Sequence, residues 1–201
     1  MAKGKNDVIL RDRLQFDVSG SGNTALVYGR IDLSDYVSIV KNEGLAIKEI
    51  RFQFRNPNTA QAFPTWLNGE DLSDVPTGET AQAHIRAFAT TTAYEDVQDV
   101  GIASPNVICY MEQLSTVYLS DLGGQVQAGY ADTVHRTYGT PDLHPEGYDV
   151  VTDLLIGVQA SNCSNSLLAG TTQELDIMII AEPKKITQKD LTQMLTQAQD
   201  L

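Results

Sequence analysis

Strand-length apolar runs, cut by glycine, proline and asparagine, recur along this chain, and helical periodicity is nearly absent before Thr187. That pattern restricts the chain to an all-β sandwich or barrel. Asp7–Val18 alternates, with Val8, Leu10, Leu14, Phe16 and Val18 on even positions, and Ser19–Asn23 interrupts it before Thr24–Ile31 resumes. Leu45–Arg55 changes phase: Leu45 and Ile47 are odd, whereas Ile50, Phe52 and Phe54 are even. A switch of that kind near Glu49 predicts a β-bulge, because one extra residue turns every later side chain to the other face. Gln82–Thr92, Val107–Ser120, Tyr148–Ala160 and Glu174–Ala181 complete a set of about eight strands, with a short one near Gln125–Ala128. The last two long runs are nearly continuous in apolar residues and are expected to be covered on both faces.

Two connections are long. Asn56–Gly78 contains Pro57, Pro64, Gly69, Pro76 and Gly78, with Phe63, Trp66 and Leu67 as apolar anchors, and Gly123–Glu146 contains Tyr130 and Tyr138. Irregular connections beyond about a dozen residues are usually functional or disordered, and a disordered loop has no use for these aromatics. Both are therefore expected to be contact surfaces between subunits. Only two segments read as helix. Ser34–Val40 starts with a serine cap and ends before Gly44. The other follows Thr187, with Asp190 three residues on and Leu191, Met194, Leu195 and Ala198 forming an i, i+3, i+4, i+7 stripe. Residues 1–182 are thus expected to form the sandwich and 183–201 a linker, broken at Pro183, and an amphipathic helix. A stripe this narrow suits docking into a neighbouring subunit through Leu191, Met194 and Leu195, or folding back onto its own sheet.

Charge is unevenly distributed. The 201 residues carry a formal net charge of −12. Residues 1–55 hold nine basic residues against seven acidic ones, whereas between Pro57 and Glu182 the basic residues are Arg86 and Arg136. Such acidity disfavours a generic nucleic-acid coat or an anionic membrane surface. It fits either a solvated acidic surface or a polarised subunit. No apolar run approaches the ~18–20 residues that cross a bilayer as a helix. None of signal-peptide length follows Met1, which predicts an intracellular protein or one released by a route other than secretion. Two cysteines make no disulfide framework. Cys109 is expected to be a buried small hydrophobe, and Cys163 a loop thiol within Ser161–Ser166.

Motifs for chemistry are absent. His84, His135 and His144 have no metal-type spacing, and His144-Pro145-Glu146-Gly147 reads as a turn. There is no Gly-x-Ser-x-Gly elbow, phosphate-binding loop or dinucleotide fingerprint. Glu95-Asp96-x-x-Asp99 and Glu70-Asp71-x-x-Asp74 offer carboxylates for calcium, without the glycine spacing of an EF-hand loop. No cofactor is expected. Six tyrosines from Tyr94 to Tyr148 suit a contact surface for sugar or protein.

The strand count, the long connections and the absence of a catalytic motif resemble a single jelly-roll subunit, in which two antiparallel sheets pack through Greek-key connections. Tyr28–Val40 followed by Gly44–Phe54, and the ending Glu174–Pro183, look like the opening and close of small icosahedral-virus capsid proteins. That resemblance implies a two-sheet antiparallel jelly-roll sandwich with a short connecting helix and a C-terminal helix. It also implies a non-enzymatic, self-assembling coat subunit in the virion, with the host cytoplasm as its location before assembly. Its partners would be copies of itself and other capsid components. A carbohydrate-binding lectin-like sandwich is the alternative, and a hydrolase with a spatially assembled carboxylate pair is the second. Many coat proteins carry an arginine-rich arm; here the N-terminus offers Lys3, Lys5, Arg11 and Arg13 as genome-facing residues, so contact with nucleic acid is expected to be weak or indirect.

Overall fold

A computed structural model describes residues 6–57, 80–121, 126–138, 147–163 and 168–197. In chain order the strands are β1 (Val8–Asp17), β2 (Val27–Ile31), β3 (Glu43–Arg55), β4 (Thr80–Thr90), β5 (Val107–Asp121), β6 (Val126–Tyr138), β7 (Tyr148–Val150), β8 (Leu154–Ser161) and β9 (Thr172–Lys185). A 3₁₀ turn at Val97–Asp99 and a terminal helix α1 (Gln188–Gln197) complete the fold. One sheet has four strands in the order β1-β9-β3-β7, the other five in the order β2-β8-β4-β5-β6. From β1 to β4, and again from β6 to β9, each strand lies in the opposite sheet to its predecessor, while β4-β5-β6 form a meander. This winding, with every pairing antiparallel, is a jelly roll. The core lies between the sheets, where Phe16, Leu45, Ile50 and Phe54 face Ile85, Ile156 and Val158.

The expected bulge is present. Ile47 pairs with Ala181 and Glu49 with Ile180, leaving Lys48 as the extra residue. The bulge turns the Lys48 ammonium onto Asp7 (2.7 Å) and Glu182 (2.5 Å), and both carboxylates hold its pKa above the ordinary lysine value.

Several expectations need correction. Ser34–Val40 is not a helix. Asp32 Oδ1 accepts from the Ser34 N–H (2.9 Å), and Leu33 O accepts from Tyr36 N (2.8 Å) and Val37 N (3.0 Å), which makes one turn and no more. The backbone of Ser38 then bonds that of Glu43 in both directions at 2.9 Å, closing a hairpin with Asn42 at φ 54°. A short helix forms only where tertiary packing supports it, and Ile39 and Val40 stand 46 and 95% exposed. The connecting helical turn lies instead at Val97–Asp99. Gly44 ends no helix: it lies in β3, where a Cβ would come within 2.1 Å of Ile186 Cδ1.

The run Tyr148–Ala160 breaks into β7 and β8, since Asp153 accepts Arg30 Nε (2.6 Å) and Leu33 N (3.2 Å) and ties the break to the end of β2. Much of Gly123–Glu146 is not irregular: Val126–Tyr138 is a full strand along β5, and Gln125 itself lies outside the described residues. β9 does not stop before Pro183 but continues to Lys185, with Pro183 opposite Leu45. Pairing with β1 ends at Val8–Ala181, so Pro183 stands where β9 has a partner on one side only, the place where a sheet tolerates proline. Cys163 is fully buried, its thiol 3.6 Å from the carbonyl oxygens of His84 and Ser161. Burial pushes both its pKa and that of Cys109 up to about 12.

α1 carries the expected cap: Thr187 Oγ1 accepts from Asp190 N (3.2 Å) and lies 2.7 Å from Asp190 Oδ2. Its stripe folds onto its own chain. Leu191 is buried with Val151 and Ile186, and Met194 and Leu195 pack partly buried against them.

Candidate functional site

The outer face of the four-stranded sheet is assembled from three strands by register. One row runs Arg11–Met178–Arg51, the next Arg13–Asp176–Gln53, and the next Gln15–Glu174–Arg55. Alternation directs these residues outward because Leu10, Leu14 and Phe16 of β1 and Ile50 and Phe54 of β3 face the core. Arg13 Nε bonds Asp176 Oδ1 at 2.6 Å, which raises the arginine pKa. Glu174 Oε2 makes no hydrogen bond among the described residues but lies 3.5 Å from Arg13 and 3.6 Å from Arg55, and Oε1 accepts from Gln15 at 3.2 Å. Arg51 pairs with Glu49. Arg11 is exposed and pairs with no carboxylate among the described residues. A cavity of about 810 Å³ opens here, bounded by Arg11, Arg13 and Arg51 with Met178 as its outward apolar side chain; Asp12, Phe52 and Ile177 also border it, the last two with their side chains in the core. Arg11, Arg13, Arg51 and Arg55 against Asp12, Glu49, Glu174 and Asp176 leave this face close to neutral on a strongly acidic chain.

The opposite face of the sandwich is finished differently. Tyr28, Gly157, Phe88 and Tyr110 form one cross-strand row over β2, β8, β4 and β5. Gly157 must lack a side chain because a Cβ would meet the Phe88 ring at 2.2 Å; in that space Tyr28 and Phe88 stack edge to face at 5.9 Å. Residues 91–106 fold over the row and bury Val97 and Val100 on it. The Tyr28 hydroxyl donates to Tyr94 O (3.1 Å) and accepts from Tyr94 N (2.8 Å), and Ser104 Oγ bridges Asp99 O (2.6 Å) and Gly101 N (2.8 Å). Tyr94 donates its own hydroxyl to Pro105 O. This pinned loop presents Glu95, Asp96, Asp99 and Ile102 to solvent. Asp96 also caps the 3₁₀ turn by accepting from Gln98 N (3.0 Å).

Of the residues singled out from sequence, Arg11 and Arg13 lie together on the arginine face, and Leu191, Met194 and Leu195 lie together on α1. Lys3, Lys5, Phe63, Trp66, Leu67, the Glu70–Asp74 cluster and His144 lie outside the described residues. So do the side chains of Tyr130, His135 and Tyr138, whose backbones pair with Tyr118, Gln113 and Tyr110. His84 Nδ1 and Glu112 Oε1 are 3.2 Å apart, and Arg86 Nε donates to that same oxygen at 3.2 Å. Among the described residues no group of three or more His, Cys, Asp or Glu side chains is arranged to hold a metal ion. Among them, too, no helix is long and apolar enough to cross a membrane, which says nothing of strands. Sequence reasoning missed Arg51 and Arg55, although their alternation with Phe52 and Phe54 already placed them on the polar face of a strand.

No family model matches the chain, and no curated protein matches it significantly. Among solved structures it aligns with VP1 of Trichodysplasia spinulosa-associated polyomavirus, solved in complex with sialylated precision glycooligomers. The alignment covers 91% of this chain and 96% of that one, at 8% identity and a TM-score of 0.33.

Proposed function

We propose that the chain is a structural, self-assembling subunit, and specifically a non-enzymatic coat subunit of a viral shell. The observation that carries this reading is where the large exposed apolar side chains lie among the described residues. Ile39, Val40, Ile102 and Tyr148 are 46, 95, 70 and 37% exposed. All four belong to the end of the sandwich where β2 leads into β3, β4 into β5 and β7 into β8, beside α1. Apolar residues gathered at one end mark a contact surface, whereas scattered ones need no explanation. Among the described residues Glu112 is paired with His84 and Arg86, and Asp153 with Arg30 and the backbone of Leu33; in this reading both carboxylates serve the fold. In this reading the partners are further copies of the chain and other shell components, and the place of action is the virion.

Light scattering after size exclusion, followed by negative-stain microscopy, tests the proposal. Closed shells or large rings are expected. A protein that stays monomeric at every concentration and salt, yet binds on a glycan array, overturns it in favour of the lectin-like reading.

A further inference from the structure

We infer that the cavity on the arginine face receives the acidic 94–104 loop of a second copy of this chain, a contact that rests on the self-assembly reading above. The two surfaces are complementary in both charge and polarity. The cavity presents Arg11, Arg13 and Arg51 around the outward-facing Met178, in a space of about 810 Å³, while Phe52 and Ile177 border it with their side chains turned to the core. The loop presents Glu95, Asp96 and Asp99 around the bare Ile102. Arg13 is engaged with Asp176 and Arg51 with Glu49, and Asp12 also borders the cavity. Arg11, which has no ion-pair partner among the described residues, is therefore the cation open to an incoming carboxylate, with the 63% exposed Arg51 beside it able to share its charge.

The loop is preorganised. Val97 and Val100 anchor it, and Tyr28, Tyr94 and Ser104 fix its backbone, so little ordering entropy remains to be lost on docking. Loop and cavity lie on opposite outer faces of the sandwich, so no copy can satisfy its own cavity. The contact is therefore head-to-tail, and such contacts build rings or extended arrays according to whether the rotation closes. Nucleic acid is the competing occupant. It is disfavoured because a polyanion needs a surplus of cations, and Glu49, Glu174 and Asp176 nearly neutralise this face.

Charge reversal in two separate proteins tests the inference. One carries Arg11→Glu and Arg51→Glu; the other carries Glu95→Lys and Asp99→Lys. All four side chains are exposed, and unchanged circular dichroism and melting temperature establish that both variants fold. Each variant alone is expected to need at least about tenfold more protein to assemble, since like charges then meet at the contact. An equimolar mixture should assemble as the wild type does, because each loop then finds a cavity of opposite sign. If both variants assemble normally, or if the mixture fails to restore assembly, the inference is overturned while the self-assembly reading stands. If assembly requires added nucleic acid and only the arginine variant loses that requirement, the cavity holds phosphate and the inference is likewise overturned. If the wild type never assembles, both readings fall.

Discussion

The two outer faces of this sandwich are built by the same winding and finished in opposite ways. On the five-stranded sheet, the row through Tyr28, Phe88 and Tyr110 lies beneath the chain's own 91–106 connection, and Phe88 is fully buried. On the four-stranded sheet, the row Arg11–Met178–Arg51 lies open around a cavity. An antiparallel sheet needs only one buried face, so the second is free to be polar. The aromatic face therefore belongs to the stability of the monomer, and the arginine face is left for contacts beyond it. That division can be broken by mutation.

The largest effect is expected at Phe88. Phe88→Ala should cost about 3–5 kcal/mol, the range for deleting a buried aromatic ring. Urea denaturation measures the loss. The buried thiols of Cys109 and Cys163, held near pKa 12, should react with an aromatic disulfide only through opening of the sandwich, and faster in this variant. The converse change, Gly157→Val, drives a side chain into the same ring and should cost roughly 1–3 kcal/mol or more by overpacking. A loss below about 1 kcal/mol in both variants, small against those ranges, would mean that the loop does not depend on this row.

Leu191→Ala comes next, at about 2 kcal/mol, the low end for a buried leucine, because α1 packs on one side only. It also separates two uses of the helix. Earlier melting with unchanged assembly means that α1 is a cover for its own chain. Unchanged melting with lost assembly means that the stripe serves a neighbour. Tyr28→Phe should follow with a loss of about 1–3 kcal/mol, because it leaves the Tyr94 N–H without its partner. Increased proteolysis confined to residues 91–106 would show that the hydroxyl fixes the loop.

What was legible in the sequence was what is local. The bulge at Lys48 could be read because a phase change in alternation is a property of the strand itself, and the Thr187–Asp190 cap because its residues are three apart. What was misread depended on distant partners. Ser34–Val40 carries helix signals, yet its backbone bonds go to a turn at Leu33 and a bridge to Glu43. Gly123 to Glu146 looked irregular because its glycines and tyrosines hid a strand that β5 templates. Cys163 sits among polar residues in sequence, but its position beneath His84 buries it. The arginine face was half visible, since Arg11 and Arg13 stood out at the N-terminus. Arg51 and Arg55 join them only because β9, the last strand, inserts between β1 and β3.

The smallest stability effect is expected on the arginine face, and it carries the sharpest contrast. Arg11→Ala and Arg51→Ala, singly or together, should change the unfolding free energy by no more than about 0.5 kcal/mol, as usual for exposed positions. Arg11 has no ion-pair partner among the described residues, and the Arg51 side chain is 63% exposed beside Glu49, where water screens the pair. Raising the salt concentration should leave even that small difference unchanged in the Arg11 variant and reduce it in the Arg51 variant, because Arg51 has an ion pair to lose and Arg11 has none among the described residues. Arg11 and Arg51 flank Met178 in one cross-strand row, so a modest packing loss independent of salt is the largest penalty expected. A double variant destabilised by as much as Tyr28→Phe would make this face part of the monomer's own support, and the contrast between the two faces would fail.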